Sequence, residues 1–253
     1  MRNRLIYEFD TDYEHYQVID TLYEGRKARV LYSGQHSAVQ SGLALDKNPE
    51  LLFDYNARFF ELISYVNPTR VLLIGGGVYT FPQKIINTYS DIRIDVIEID
   101  SQLEDVARKY FGFESNPRLV IINDDGRKFL QNTKNKYDLV LIDAFTHLEI
   151  PRQLITKQAI AAVYKCLTKN GIVAMNIISA YEGMYSSILH QIYAAYDTKF
   201  HYIDIVPADN RFSVWQRQNF ILVASKRIKD AAQYIKYGPL YKLPTHKNLI
   251  LND

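Results

Sequence analysis

The sequence predicts an α/β fold: a doubly wound, mostly parallel seven-stranded sheet over residues 51–253, preceded by a small antiparallel β domain over residues 1–50. Three observations carry this. From Arg70 onward, short apolar runs alternate with segments of helical spacing, the pattern of strands joined by crossover helices. The first four runs, Val71–Ile74, Ile94–Ile99, Leu119–Ile122 and Leu139–Ile142, are near-continuously apolar, as strands covered on both faces must be. The first fifty residues have another texture: short aromatic and β-branched segments, partly alternating and punctuated by Gly25 and Ser33-Gly34, which read as hairpins.

In chain order, the hairpin strands are Tyr7–Thr11, Tyr16–Tyr23, Arg29–Tyr32 and Ala38–Leu43. So small a sheet needs a neighbour or a second subunit to pack on. A helix over Leu51–Val66 is stopped by Asn67-Pro68. Val71–Ile74 then runs into Gly75-Gly76-Gly77, and a helix follows over Tyr79–Tyr89. Ser101-Gln102-Leu103-Glu104 has the spacing of a capping box ahead of an amphipathic helix. Ile160, Val163, Tyr164 and Leu167 mark another helix, with Asn170-Gly171 as its expected end. The last strands are Ile172–Ile178, His201–Val206 and Phe220–Ala224. Residues 207–218 are too few for a crossover helix, so the final pair should be antiparallel.

Composition narrows the function. Of 253 residues, 47% are hydrophobic and 23% charged, as in ordinary globular chains. A net charge of +2 gives no reason to expect nucleic acid or a membrane surface as partner. The single cysteine, Cys166, sits in an apolar helical pattern and reads as a core thiol. No apolar run is long enough to cross a bilayer and no signal peptide is visible, so a cytoplasmic location is expected.

Right-handed crossovers bring the C-terminal ends of the parallel strands to one crevice, and the polar candidates lie at those ends. The three glycines let a ligand approach the backbone closely. Glu98 ends the second strand, 21 residues after Gly77, where an acid can accept hydrogen bonds from both hydroxyls of a ribose; a helix-terminal acid is the alternative. Asp125-Gly126 ends the third, where an acid reaches a base's exocyclic amine and glycine leaves room for the ring. Turn chemistry explains the pair equally well. Asp143 closes an apolar strand, where a carboxylate is costly unless it binds something. An acidic crevice beside a nucleoside site suits a positively charged nucleoside, such as the sulfonium S-adenosylmethionine.

These segments resemble the spermidine synthase branch of the methyltransferase-like, Rossmann-like fold. The matching stretches are Val71–Gly77, Val96–Asp100, Asp125–Leu130 and Tyr137–Asp143, preceded by a small β domain as in that family. The resemblance implies Glu98 on the ribose, Asp125 near the adenine and Asp143 facing the acceptor or the sulfonium. It also matches Gln40 to a family glutamine beside the donor, and Tyr55-Asn56 to an aromatic-amide pair at the substrate. It implies a homodimer and a small-molecule donor, with no metal expected.

Two positions depart from the pattern. Val78 follows the glycines where aminopropyltransferases carry Asp, and Thr146 stands where the family places its amine-deprotonating Asp. His147 and Glu149 lie in the same loop as substitute bases. The departures point to S-adenosylmethionine rather than its decarboxylated form, and to a methyltransferase-type enzyme. Aminopropyl transfer with a relocated base, a non-catalytic nucleoside-binding protein and a nicotinamide-dependent oxidoreductase are the alternatives.

Overall fold

A computed structural model describes residues 3–34, 38–46, 51–146, 149–209, 211–229, 231, 241, 243 and 249–253. Its first unit is an antiparallel four-stranded meander of β1 (Arg4–Asp10), β2 (His15–Tyr23), β3 (Arg26–Ser33) and β4 (Ala38–Ala44). Next come helix α1 (Asp54–Val66), strand β5 (Arg70–Ile74), α2 (Thr80–Thr88), β6 (Arg93–Glu98), α3 (Gln102–Tyr110) and β7 (Leu119–Asn123). They are followed by α4 (Gly126–Asn132), β8 (Tyr137–Ile142), a 3-10 turn at Arg152–Leu154, α5 (Lys157–Cys166) and β9 (Leu167–Ser179). The described elements end with α6 (Ser187–Asp197), β10 (Tyr202–Pro207) and β11 (Gln218–Ser225).

The large sheet has the order β10-β11-β9-β8-β5-β6-β7. β7, β6, β5, β8 and β9 run parallel, and β11 joins β9 and β10 antiparallel, as the short final link predicts. The chain builds outward from β5 to β7, then returns to lay β8 on the other side of β5. That reversal opens a crevice at the C-terminal ends of β5 and β8.

Alternation along the central strands divides the core between the two faces of the sheet. Val71, Leu73, Leu139 and Leu141 pack on one side; Leu72, Ile74, Val140 and Ile142 pack on the other. Tyr16, Val18 and Leu31 of the small sheet join the first of these clusters, so that sheet finds its packing surface within this chain. Ser41 and Thr80 stitch it to the glycine turn: the Val78 amide donates to Ser41 Oγ at 3.3 Å, and Thr80 Oγ1 to the Gly42 carbonyl at 2.9 Å.

Two expected helix boundaries are corrected. Asn170-Gly171 does not end α5. The helix stops at Cys166, Leu167 turns extended, and it pairs at once with Tyr137; residues 168–171 form an irregular excursion within β9 before Ile172 pairs with Leu139. Nor is the capping box formed. Ser101 has helical backbone angles, which turn its hydroxyl from the cap position, and the Asp100 carboxylate takes the Gln102 amide instead, at 3.1 Å. Among the described residues, no helix is long and apolar enough to cross a membrane.

Candidate functional site

A cavity of about 360 Å³ opens at the C-terminal ends of β5 and β8, within the size range of ligand sites. The sequence-predicted residues converge on it. Gly75, Gly76, Gly77, Glu98, Asp125, Gly126 and Asp143 line it from the large sheet, while Gln40 from β4 and Tyr55 and Asn56 from α1 close it.

The glycines are required by crowding as well as conformation. Gly75 has φ of +93°, and a Cβ there would lie 2.2 Å from the main-chain oxygen of Asp143. Gly77, at φ +53°, would press a Cβ to 2.9 Å from Ser41 Oγ. The turn is therefore clamped between β8 and the small sheet, its amides facing Glu98. Glu98 Oε2 accepts from Gly76 at 2.7 Å and Gly77 at 3.1 Å, while Oε1 accepts from the Asp100 amide at 3.0 Å. Burial raises this carboxyl's pKa, and the three amides oppose the rise by favouring the charged form. Its remaining lone pairs can take hydroxyl donors at the cavity.

Asp125 carries the turn chemistry and also stands at the cavity. Its side chain caps α4 by accepting the Lys128 amide at 2.9 Å, and the residue lies on the cavity wall. Gly126 is tightly seated, since a Cβ would meet Ile74 Cγ2 at 2.6 Å.

Asp143 ends β8 inside a polar chain. It accepts from Asn176 Nδ2 at 3.0 Å and from the Tyr55 hydroxyl, and Asn219 Nδ2 in turn donates to Asn176 Oδ1 at 2.9 Å. Burial pushes its carboxyl up to about 6, against the lowering effect of Asn176 and Tyr55. The Tyr55 phenol is driven well above its ordinary range, first by burial and then by Asp143. Asn56 is buried, and its Oδ1 has no hydrogen-bond partner among the described residues.

Gln40 reaches the cavity because of a bulge. Leu31 pairs with Ser41 and Tyr32 with Val39, which leaves Gln40 as the extra residue of β4. Its Nε2 donates to Ser33 Oγ at 2.8 Å.

A second chamber of about 250 Å³ adjoins the first, with Gln40, Tyr55, Asp143 and Phe145 on the wall common to both. Asn176 and Asn219 line it. Sequence reasoning passed over both asparagines. The signal available for Asn176 was a lone polar residue inside the apolar run Ile172–Ile178.

The departing positions are placed differently from one another. Val78 is wholly buried in the core and lies on neither chamber wall. Thr146 lines the first chamber in a turn whose backbone pairs both ways with Glu149, at 2.8 and 3.0 Å. Glu149 lines neither chamber, and His147 lies outside the described residues. Tyr181 and Trp215 line neither chamber: Tyr181 packs on Tyr241 and Trp215 lies against Gly183.

Comparison with known proteins agrees with the fold. A polyamine aminopropyltransferase of Aquifex aeolicus is 26% identical over 175 residues, 67% of this chain and 59% of that protein. The matches to the first three curated relatives span only 50% to 59% of their lengths. Among solved structures, a probable spermidine synthase from Corynebacterium glutamicum superposes with a TM-score of 0.75 at 18% identity, covering 90% of this chain and 84% of that one. Human Methyltransferase-like protein 13 in complex with SAH gives 0.57 at 17% identity, covering 72% and 89%. These two likenesses establish a methyltransferase-like fold. The family model described as the spermine/spermidine synthase domain matches residues 59–204, more than half of the sequence, and the chain belongs to the spermine/spermidine synthase family.

Proposed function

We propose that this protein is a two-substrate transferase. An adenosyl sulfonium donor occupies the first chamber, an amine acceptor the second, and an alkyl group passes between them beside Asp143. The observation that carries the reading is that Asp143 lies on the wall common to both chambers, its carboxyl raised toward neutrality by burial.

Glu98 takes the ribose hydroxyls, Asp125 the adenine edge, and the glycine turn admits the chain on sulfur. Gln40, Tyr55 and Asn56 close the site from the other side. The named activity of the sequence relatives favours an aminopropyl group from decarboxylated S-adenosylmethionine over a methyl group. This reverses the preference drawn from Val78 and Thr146 alone. In the transfer, the acceptor nitrogen's lone pair forms the new N–C bond while the C–S bond breaks. The electron pair of the broken bond stays on sulfur, which leaves as a neutral thioether. The acceptor arrives as an ammonium, so its proton passes to Asp143 and from there to solvent before the attack, and the secondary nitrogen formed by the transfer leaves as an ammonium. A carboxyl with pKa near 6 is mostly ionised at neutral pH yet closer to the amine than an ordinary Asp, which suits it to this task. The leaving group comes with the donor, so alignment and electrostatics supply most of the rate. The homodimer implied by the resemblance belongs to this proposal, and sedimentation tests it.

The deciding experiment incubates the protein with decarboxylated S-adenosylmethionine and primary amines, and follows methylthioadenosine and alkylated amine by mass spectrometry. The proposal expects both products in equal amount, and a loss of about 10²–10⁴-fold in Asp143→Asn. Methylated product from S-adenosylmethionine, with none from the decarboxylated donor, would restore the methyltransferase reading.

A further inference from the structure

Four described carboxylates line the second chamber: Asp143 on the wall shared with the first, and Glu24, Asp54 and Asp209 at its mouth, where they also line a neighbouring open cavity together with Arg211. The outer three come from the turn between β2 and β3, the start of α1 and the connection from β10 to β11. One side chain gathers them. Arg211 Nη2 lies 3.2 Å from Asp54 Oδ2 and 3.6 Å from Glu24 Oε2, and the same guanidinium pairs with Asp209. Outside this mouth the pattern repeats. Arg58 pairs with Glu61 at 3.0 Å, and Arg26 with Asp46 at 3.5 Å. Among the described residues of the second chamber, Asp143 is the carboxylate without a cation in ion-pair range, its partners being the neutral Asn176 and Tyr55.

We propose that Arg211 is a specificity-determining residue that holds the mouth acids, so that the acceptor brings a single amine to Asp143 and carries no second ammonium. This rests on the two-chamber reading above. Each ion pair is partly exposed and weak singly. The guanidinium is tethered in place, however, and competes with a free diamine at an effective concentration on the order of millimolar or more. A second ammonium entering the mouth would have to displace Arg211 or lie beside it, and like charges there repel. The walls combine aromatic rings with a further cation, Arg217, and suit an uncharged body rather than a second ammonium. Tyr23, Phe53, Phe145 and Phe212 line the chamber, with Tyr23 and Phe53 edge-to-face at 5.3 Å between ring centres.

The test is calorimetric titration with putrescine and with n-butylamine, which has the same carbon chain and one amine. Titrations are run with and without saturating methylthioadenosine, on the unmodified protein, Arg211→Met and Arg211→Lys. The unmodified protein is expected to bind n-butylamine at least as tightly as putrescine. Arg211→Met should move the ratio toward putrescine by about tenfold, and Arg211→Lys should keep the original ratio. A clear preference of the unmodified protein for putrescine, a ratio unmoved in Arg211→Met, or no binding of either amine overturns the proposal. Failure of methylthioadenosine to bind counts against the two-chamber reading instead, and the nucleoside-free titrations still report the amine ratio.

Discussion

Asn176 Nδ2 donates to Asp143 Oδ1 at 3.0 Å, and this bond joins β9 to the end of β8 where the two chambers meet. It favours the ionised carboxylate in a place where burial disfavours it. Asn176→Ala should therefore raise the Asp143 pKa further. The acidic limb of the transfer rate should move to higher pH by about one unit, with little change at the alkaline end. A pH–rate profile of the variant checks this, and an unmoved acidic limb would place the working base elsewhere.

Asp143 also makes stability depend on pH. Its folded pKa of about 6 lies above the ordinary 3.8, so the folded state binds the proton more tightly than the unfolded one. The group's contribution is therefore best below the ordinary carboxylate range and worsens as pH rises through about 4 to 6. Above that window, holding the charge costs roughly 1–3 kcal/mol. Asp143→Asn should unfold at higher urea than the unmodified protein at pH 7.5, and the advantage should fade at pH 4. A destabilised variant at both values would contradict the burial account.

Glu98 holds the glycine turn as well as facing the cavity. In Glu98→Ala the Gly76, Gly77 and Asp100 amides lose their acceptor, and the fold should lose about 2–4 kcal/mol. Glu98→Gln keeps an acceptor oxygen but loses the charge. It should fold well and bind methylthioadenosine about 10- to 100-fold more weakly by calorimetry. Undiminished affinity in Glu98→Gln would remove the ribose assignment.

Two glycines separate crowding from conformation. Gly25 has φ of +80° with nothing within 4 Å of a built Cβ, so Gly25→Ala should cost only about 1–2 kcal/mol. Gly75 adds the 2.2 Å clash with Asp143 to a similar φ, so Gly75→Ala should cost well above about 3 kcal/mol or fail to fold. Equal urea midpoints for the two variants would contradict the clamp between β5 and β8.

The legible part of this protein was the part written locally and repeated. Near-continuous apolar runs, each followed by polar or glycine residues, pointed to the parallel strands, and the topology of such sheets brings their ends together. Glu98, Asp125 and Asp143 could be found that way because each closes a run. Asn176 could not, since a single amide in the middle of β9 looks like a tolerated polar residue until Asp143 lies beside it. Gln40 owes its orientation to a bulge in β4, and the bulge follows from the pairing of Ser41 and Val39 with adjacent residues of β3 rather than from any local motif. Arg211 was hidden for another reason: Asp209 is its near neighbour in the chain, but Glu24 and Asp54 come from distant segments, and only the folded chain puts them around the same guanidinium. The capping box failed where a competing acid, Asp100, stood one residue before Ser101.

The most direct test of the account is a crystal structure of the protein soaked with methylthioadenosine. The account predicts density in the first chamber, with the ribose hydroxyls on Glu98, the adenine against Asp125-Gly126 and the sulfur turned toward Asp143. A nucleoside bound elsewhere, or one in the chamber with its ribose away from Glu98, would contradict it.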